Sequence, residues 1–165
     1  PSLSRDIDAC AAVRDAVGED FSLMLDGYHW YSRTDALRLG RELDRLKFDW
    51  FEEPMDEFSL RSYKWLADQI DTPVIGPETT PGRHRSRADW IANDACDILR
   101  VGAMNGGGIT PALKTMHMAE ASASTARSTA TAPPISRSSA RPTTSSGTSA
   151  VFCTRTSTTT GCRRT

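Results

Sequence analysis

At 165 residues the chain is long enough for one domain with a sizeable core, and with no run of 18 apolar residues it holds no membrane-spanning helix. Its formal net charge of −1 averages two unlike parts: residues 1–120 hold all 21 acidic and 14 of the 20 basic residues, a net of −7, whereas residues 121–165 carry six Arg and no Lys, Asp or Glu. Of those last 45 residues 22 are Ser or Thr, a shift in composition that marks a boundary at 120.

The chain opens at Pro1, already inside what reads as a helix, without the basic region and apolar run of a secretory signal, so upstream sequence is expected. Residues 6–17 have that helical period, and residues 21–25 form a short apolar strand pattern ending at Asp26. Residues 34–47 read as a strong amphipathic helix, with Leu37, Leu39, Leu43 and Leu46 along one side. Residues 48–51 read as a strand that runs into Glu52, Glu53 and Pro54, and the proline stops it. The pattern then repeats. Residues 59–70 are helical, with Leu60, Tyr63, Leu66, Ala67 and Ile70 on one side, and residues 73–76 are a strand that delivers Glu78. Residues 84–93 form a helix, residues 95–101 a strand entering a glycine-rich loop, and Thr110 caps a further helix with Pro111 at its first position.

Strand and helix units that alternate in this way predict an α/β fold with parallel strands covered by helices. The acids choose between a doubly wound sheet and a barrel. Asp26, Glu52 and Glu78 each follow the apolar run of successive strands, 26 residues apart in both steps. In a barrel the C-terminal ends of successive strands face one pocket, where catalytic groups collect. The expected fold is a fragment of a (β/α)7β TIM-like barrel: about four consecutive β/α units over residues 1–120, then a disordered tail over residues 121–165. Such a piece leaves two raw sheet edges.

Three carboxylates on neighbouring strand ends suit Mg2+, which takes oxygen ligands in near-octahedral geometry and keeps positions for water and substrate. Consecutive strand residues point to opposite faces, so Glu52 is expected as the ligand and Glu53 as the partner of a nearby basic group or a brace for the loop. His29, three residues past Asp26, has two open readings: an acid or base above the pocket, or a loop histidine packed among aromatics. His84, between Arg83 and Arg85, reads as surface, and His117 as an exposed helix position. Gly106, Gly107 and Gly108 lack the lysine of a P-loop and the spacing of a dinucleotide fingerprint, and serve equally as a tight turn into the next helix. Cys10, Cys96, Cys153 and Cys162 match no metal-binding spacing; the first two read as buried thiols of a reducing compartment, which points to a cytoplasmic setting.

The stretches Leu23-Met24-Leu25-Asp26, Trp50-Phe51-Glu52-Glu53-Pro54, Ile75-Gly76-Pro77-Glu78, Asp97-Ile98-Leu99-Arg100 and Gly106-Gly107-Gly108-Ile109-Thr110, in that order, resemble the enolase superfamily, most closely its mandelate racemase-like branch. The resemblance covers about residues 6–120. It implies that Asp26, Glu52 and Glu78 bind magnesium at the ends of the third, fourth and fifth barrel strands. It also implies a base that removes the proton beside a substrate carboxylate, an enediolate stabilised by the ion, and loss of the β-hydroxyl of a sugar acid. A racemase or cycloisomerase would share the first step, and the intact protein would be a homo-oligomer.

Three departures stand against the pattern. The capping domain and the first two strands, with their frequent Lys-x-Lys pair, are absent from this sequence. Gly102 occupies the sixth-strand position where many members place an aspartate. A histidine beyond the third-strand ligand usually comes two residues on in related acid-sugar dehydratases, not three. The chain is therefore expected to be inactive by itself. After Glu120 the apolar periodicity stops, and a reading-frame error in GC-rich coding DNA would account for the change. A different class of function, a non-catalytic protein whose basic tail binds nucleic acid, rests on six arginines without aromatic interleaving, a thin electrostatic footprint.

Overall fold

The structure, a computed structural model, describes residues 2–56, 58–122, 125–129 and 150–152. Two units divide it: Pro1–Gly76 with Asn93–Asp97, and Pro77–Ala92 with Ile98–Thr165.

The first unit runs α1 (Leu3–Val17), β1 (Met24–Asp26), α2 (Arg33–Arg45), β2 (Trp50–Glu52), α3 (Leu60–Ala67) and β3 (Val74–Gly76). Its three strands are parallel in chain order, β1 beside β2 and β2 beside β3. Ser32 starts α2: its hydroxyl oxygen accepts the Asp35 N–H at 3.2 Å and its O–H donates to the Asp35 carboxylate at 2.7 Å, which closes the first turn from both sides. The apolar stripe read from the sequence faces inward. Leu39 and Leu43 are fully buried and Leu46 nearly so, with Tyr63 and Leu66 of α3 and Phe51, Val74 and Ile75 of the strands. Leu37, Leu60 and Ala67 are half-buried at the margin of the stripe.

Two polar side chains, buried Arg14 and half-buried Asp44, tie the connections of this unit. Arg14, in the last turn of α1, donates from Nε to the Leu46 carbonyl at 2.8 Å and from its terminal nitrogens to the carbonyls of Gly18 (2.8 Å), Phe21 (2.6 Å) and Lys47 (2.9 Å). A cation at this point answers the carbonyls that a helix end leaves without partners. The Asp44 carboxylate accepts the N–H of Asp71 and both the N–H and O–H of Thr72, which anchors the entry to β3.

The second unit holds α4 (Arg83–Ala92), β4 (Ile98–Gly102), α5 (Ile109–Ala121), β5 (Thr125–Thr129) and β6 (Ala150–Phe152). Helix α5 begins two residues earlier than the sequence predicts. Gly108, at φ 110°, takes the N-cap position, and Pro111 is the third helical residue rather than the first. A proline is equally tolerated there, because the N–H groups of the first turn have no intrahelical acceptor. Within the segment read from its composition as a tail, β5 pairs in parallel with β4 from Ile98↔Thr125 to Gly102↔Thr129, and β6 pairs antiparallel with β5. Apart from Ala121 and Ser122 at the end of α5, the rest of that segment, on which the expectations of disorder and of an altered frame fall, lies outside the described residues. No helix of the described residues is long and apolar enough to cross a membrane.

Candidate metal centre

Asp26 ends β1 and Glu52 ends β2, and the two are register partners. Neighbouring residues paired in a parallel sheet project from the same face, so the two carboxylates rise side by side, while Leu25 and Phe51 point to the other face. Glu52 is buried at 6% exposure, whereas Asp26 is exposed and accepts the Tyr28 N–H at 3.0 Å. These are hard oxygen donors of the kind Mg2+ takes.

The loops beyond the two strands are joined residue by residue. The Gly27 N–H donates to the Glu52 carbonyl at 2.7 Å, the His29 N–H to the Glu53 carbonyl at 2.8 Å, and the Tyr31 N–H to the Pro54 carbonyl at 3.1 Å. Glycine is required at the first link, because a Cβ on residue 27 would lie 2.9 Å from the Pro54 Cα. Tyr28, His29 and Glu53 all hold positive φ (42°, 65° and 38°), a conformation costing a non-glycine residue roughly 1–2 kcal/mol. Strain of this kind persists only where the surroundings over-determine it. Here it gathers at the ends of the two acid-bearing strands.

Glu53 turns out of the strand at that positive φ and takes a basic partner, as expected: its Oε2 lies 3.3 Å from His29 Nε2, and the carboxylate is buried at 3% exposure. The His29 Nδ1 stands 3.3 Å from the Met55 carbonyl. Thus His29 sits in the loop past Asp26, its ring oriented by the loop past Glu52. Of its two open readings, packing among aromatics is represented by Tyr28, whose ring centroid is 5.5 Å away.

Glu78 belongs to the second unit. The register of the first unit pairs Glu52 with Ile75, so Glu78 falls three residues beyond that partner and off the strand. Its Oε2 pairs with Arg100 Nε at 3.6 Å, and its Oε1 accepts from the Asn105 amide at 3.5 Å. Among the described residues, no three His, Cys, Asp or Glu side chains gather as a ready-made ion site. The in-register carboxylates of Asp26 and Glu52, both in the first unit, have the donor chemistry that a hard cation takes.

Sequence reasoning missed Arg87. It is 3% exposed, and its guanidinium donates to the carbonyls of Pro77, Glu78 and Thr80 on the loop that carries Glu78. The available signal was its place three residues before buried Trp90 on α4, in the inward stripe. His84, expected at the surface, is half-buried between exposed Arg83 and Arg85, and its Nδ1 is sealed from solvent with no hydrogen-bond partner among the described residues. His117 is exposed on α5, as expected, and Gly102 at the end of β4 offers no acid. Cys10 and Cys96 are free thiols, and burial together with the Asp6 charge pushes the Cys10 thiol up.

The enolase C-terminal domain-like family matches residues 1–139. L-talarate/galactarate dehydratase of Salmonella typhimurium is 34% identical over 119 residues, 72% of this chain and 30% of that protein. D-galactarolactone cycloisomerase of Agrobacterium fabrum is 34% identical over 119 residues, 71% of this chain and 31% of that protein. The crystal structure of D-glucarate dehydratase from Agrobacterium tumefaciens, complexed with magnesium, is 63% identical with a TM-score of 0.74, covering 76% of this chain and 33% of that one. The chain therefore spans about a third of the length of the proteins it resembles.

Proposed function

Because this chain belongs to the enolase C-terminal domain-like family, in the mandelate racemase and muconate lactonizing branch with its partial (β/α) barrel, we propose that it forms the ion-binding part of a magnesium-dependent sugar-acid dehydratase. The in-register pair Asp26 and Glu52 carries the reading. Residues 1–120 are the barrel segment in this proposal, and residues 121–165 are a tail outside its chemistry.

Asp26, Glu52 and Glu78 are the residues that would hold Mg2+. When bound, the ion would offset the negative charge that develops as a proton leaves the carbon beside a substrate carboxylate. The protein's part is to keep the carboxylates aligned, and the short link from Gly27 to Glu52 serves that alignment. His29 is the candidate acid for the departing β-hydroxyl. Its Nε2 is held against Glu53 and its Nδ1 faces the Met55 carbonyl, so the ring is already oriented. By itself the chain is expected to bind the ion weakly and to turn nothing over, since Gly102 supplies no sixth-strand acid. Free Cys10 and Cys96 support a cytoplasmic setting, and a homo-oligomeric intact protein completes the proposal.

Two measurements test it. Titration calorimetry of the chain with Mg2+ should give a saturable signal that Asp26→Asn and Glu52→Gln each weaken by tenfold or more. Residues 2–122 should then replace the matching segment of the Agrobacterium tumefaciens dehydratase, with glucarate, galactarate and talarate supplied in D2O. Keto-acid formation supports dehydration. Deuterium exchange without loss of water would instead assign a racemase, and no ion binding by the chain would remove the reading altogether.

A further inference from the structure

Glu78 follows a strand that ends at Gly76, so sheet register does not place its carboxylate. Two prolines and a glycine lie in the loop of residues 77–82. What meets this loop is Arg87. A helical side chain leans toward the N-terminus of its own helix, so a residue in the second turn of α4 can reach back over the first turn to the preceding loop. There Nη2 donates to the carbonyls of Pro77 (3.1 Å) and Glu78 (2.7 Å), and Nη1 donates to the carbonyl of Thr80 and the hydroxyl of Ser86 (3.0 Å). One planar guanidinium thereby fixes three carbonyls within four residues, which a flexible ammonium with a single donor centre cannot match. A cation near a helix N-terminus opposes the helix dipole, so its burial at this point needs an opposing gain, and the loop carbonyls supply it.

We infer that Arg87 is the positioning residue of Glu78: it sets the loop backbone, so that the carboxylate reaches Arg100 and Asn105 and is presented for an ion. The last step of this inference rests on the proposed function; the first does not.

The experiment separates the two. The full chain, labelled with 15N, is compared as wild type, Glu78→Gln, Arg87→Ala and Arg87→Lys, with folding checked by circular dichroism. The Arg100 Nε resonance reports the carboxylate beside it, 3.6 Å away in the ion pair. Arg87→Ala is expected to move that resonance in the direction Glu78→Gln moves it, and Arg87→Lys to move it part of the way. An unchanged resonance in a folded Arg87 variant overturns the inference. If Arg87→Ala does not fold, Arg87→Lys decides the matter on the same readout. In the ion arm, Mg2+ affinity should fall about 10–100-fold in Arg87→Ala, the range expected when a residue that orients a ligand is lost. A folded variant with wild-type affinity overturns the inference as well. Absence of Mg2+ binding by the wild type refutes the proposed function, and the Arg100 resonance then judges the role of Arg87 by itself.

Discussion

Replacing Gly27 with alanine tests whether the join between the two acid-bearing loops is set by space. The added Cβ would stand 2.9 Å from the Pro54 Cα, 3.1 Å from Phe51 Cε2 and 3.3 Å from the Glu52 carbonyl oxygen. Carbon atoms rest at roughly 3.5–4.0 Å, so the shortfall is greatest at a proline backbone atom, and the second neighbour is the ring of a fully buried phenylalanine. Neither can retreat, so the β1–α2 loop must lift and lengthen the 2.7 Å hydrogen bond from Gly27 to Glu52. Overpacking costs about 1–3 kcal/mol and the weakened hydrogen bond about 1 more, for an expected loss of about 2–4 kcal/mol. Gly18→Ala is the control. Gly18 holds φ 82° and ψ 173°, a region open essentially to glycine alone, but nothing lies within 4 Å of its Cβ position, so only a backbone penalty of about 1–3 kcal/mol applies. Urea unfolding followed by tryptophan fluorescence and circular dichroism measures both. If Gly27→Ala lies within about 0.5 kcal/mol of wild type, a change of the size usual for an unconstrained surface position, the close approach is not what holds the loops together.

Arg14→Met should destabilise the chain by about 3 kcal/mol in the same urea assay, since it strips five carbonyls of this donor, and Arg14→Lys should recover part of the loss. Burial first, then the Asp6 charge and the hydrogen bond to Asp6, raise the Tyr31 phenol well above its ordinary value of 10.0. Because the folded state holds the neutral phenol, this stabilisation is present in full below pH 10 and fades as pH climbs through the raised value. Phenolate absorbance should therefore show a late-titrating component that Tyr31→Phe diminishes. The hydrogen bond and charge of Lys47 hold the Glu19 carboxyl below its ordinary range. Lys47→Ala should return it upward in a carboxyl NMR titration, with stability hardly altered because the pair is exposed.

The strand and helix order was legible because both periodicities answer to burial. Leu39, Leu43, Tyr63 and Leu66 repeat at helical spacing and are the side chains found inside. Element ends were less legible. The strand read at residues 21–25 is Met24–Asp26, since ladder pairing rather than apolar content sets its limits. The pairing of Glu53 with a basic group could be foreseen from strand alternation, yet its partner could not, because the match with His29 depends on two loops with positive φ. Arg87 and Arg14 were hidden for another reason. A charged residue in a helical pattern reads as solvated, and only the carbonyls that converge on it show why it is buried.

The equal spacing of the three acids is a weaker argument than it looks, and the sheet explains why. A step of 26 residues measures the length of a β/α unit, and units of one length repeat whatever sits at their strand ends. What gives the spacing chemical meaning is register. From Asp26 to Glu52 the step and the ladder agree, and two carboxylates stand abreast on one face. From Glu52 the ladder leads to Ile75, only 23 residues on, so the same step of 26 carries Glu78 past the end of the strand. Two acids can thus be placed by backbone hydrogen bonds alone, whereas the third needs a side chain to hold its loop. A substitution at Arg87 should therefore disturb Glu78 and leave the hydrogen bond from Gly27 to Glu52 intact. Amide exchange at Gly27, slow in wild type and in Arg87→Lys alike, is the measurement that would show it, and faster exchange in the variant would contradict it.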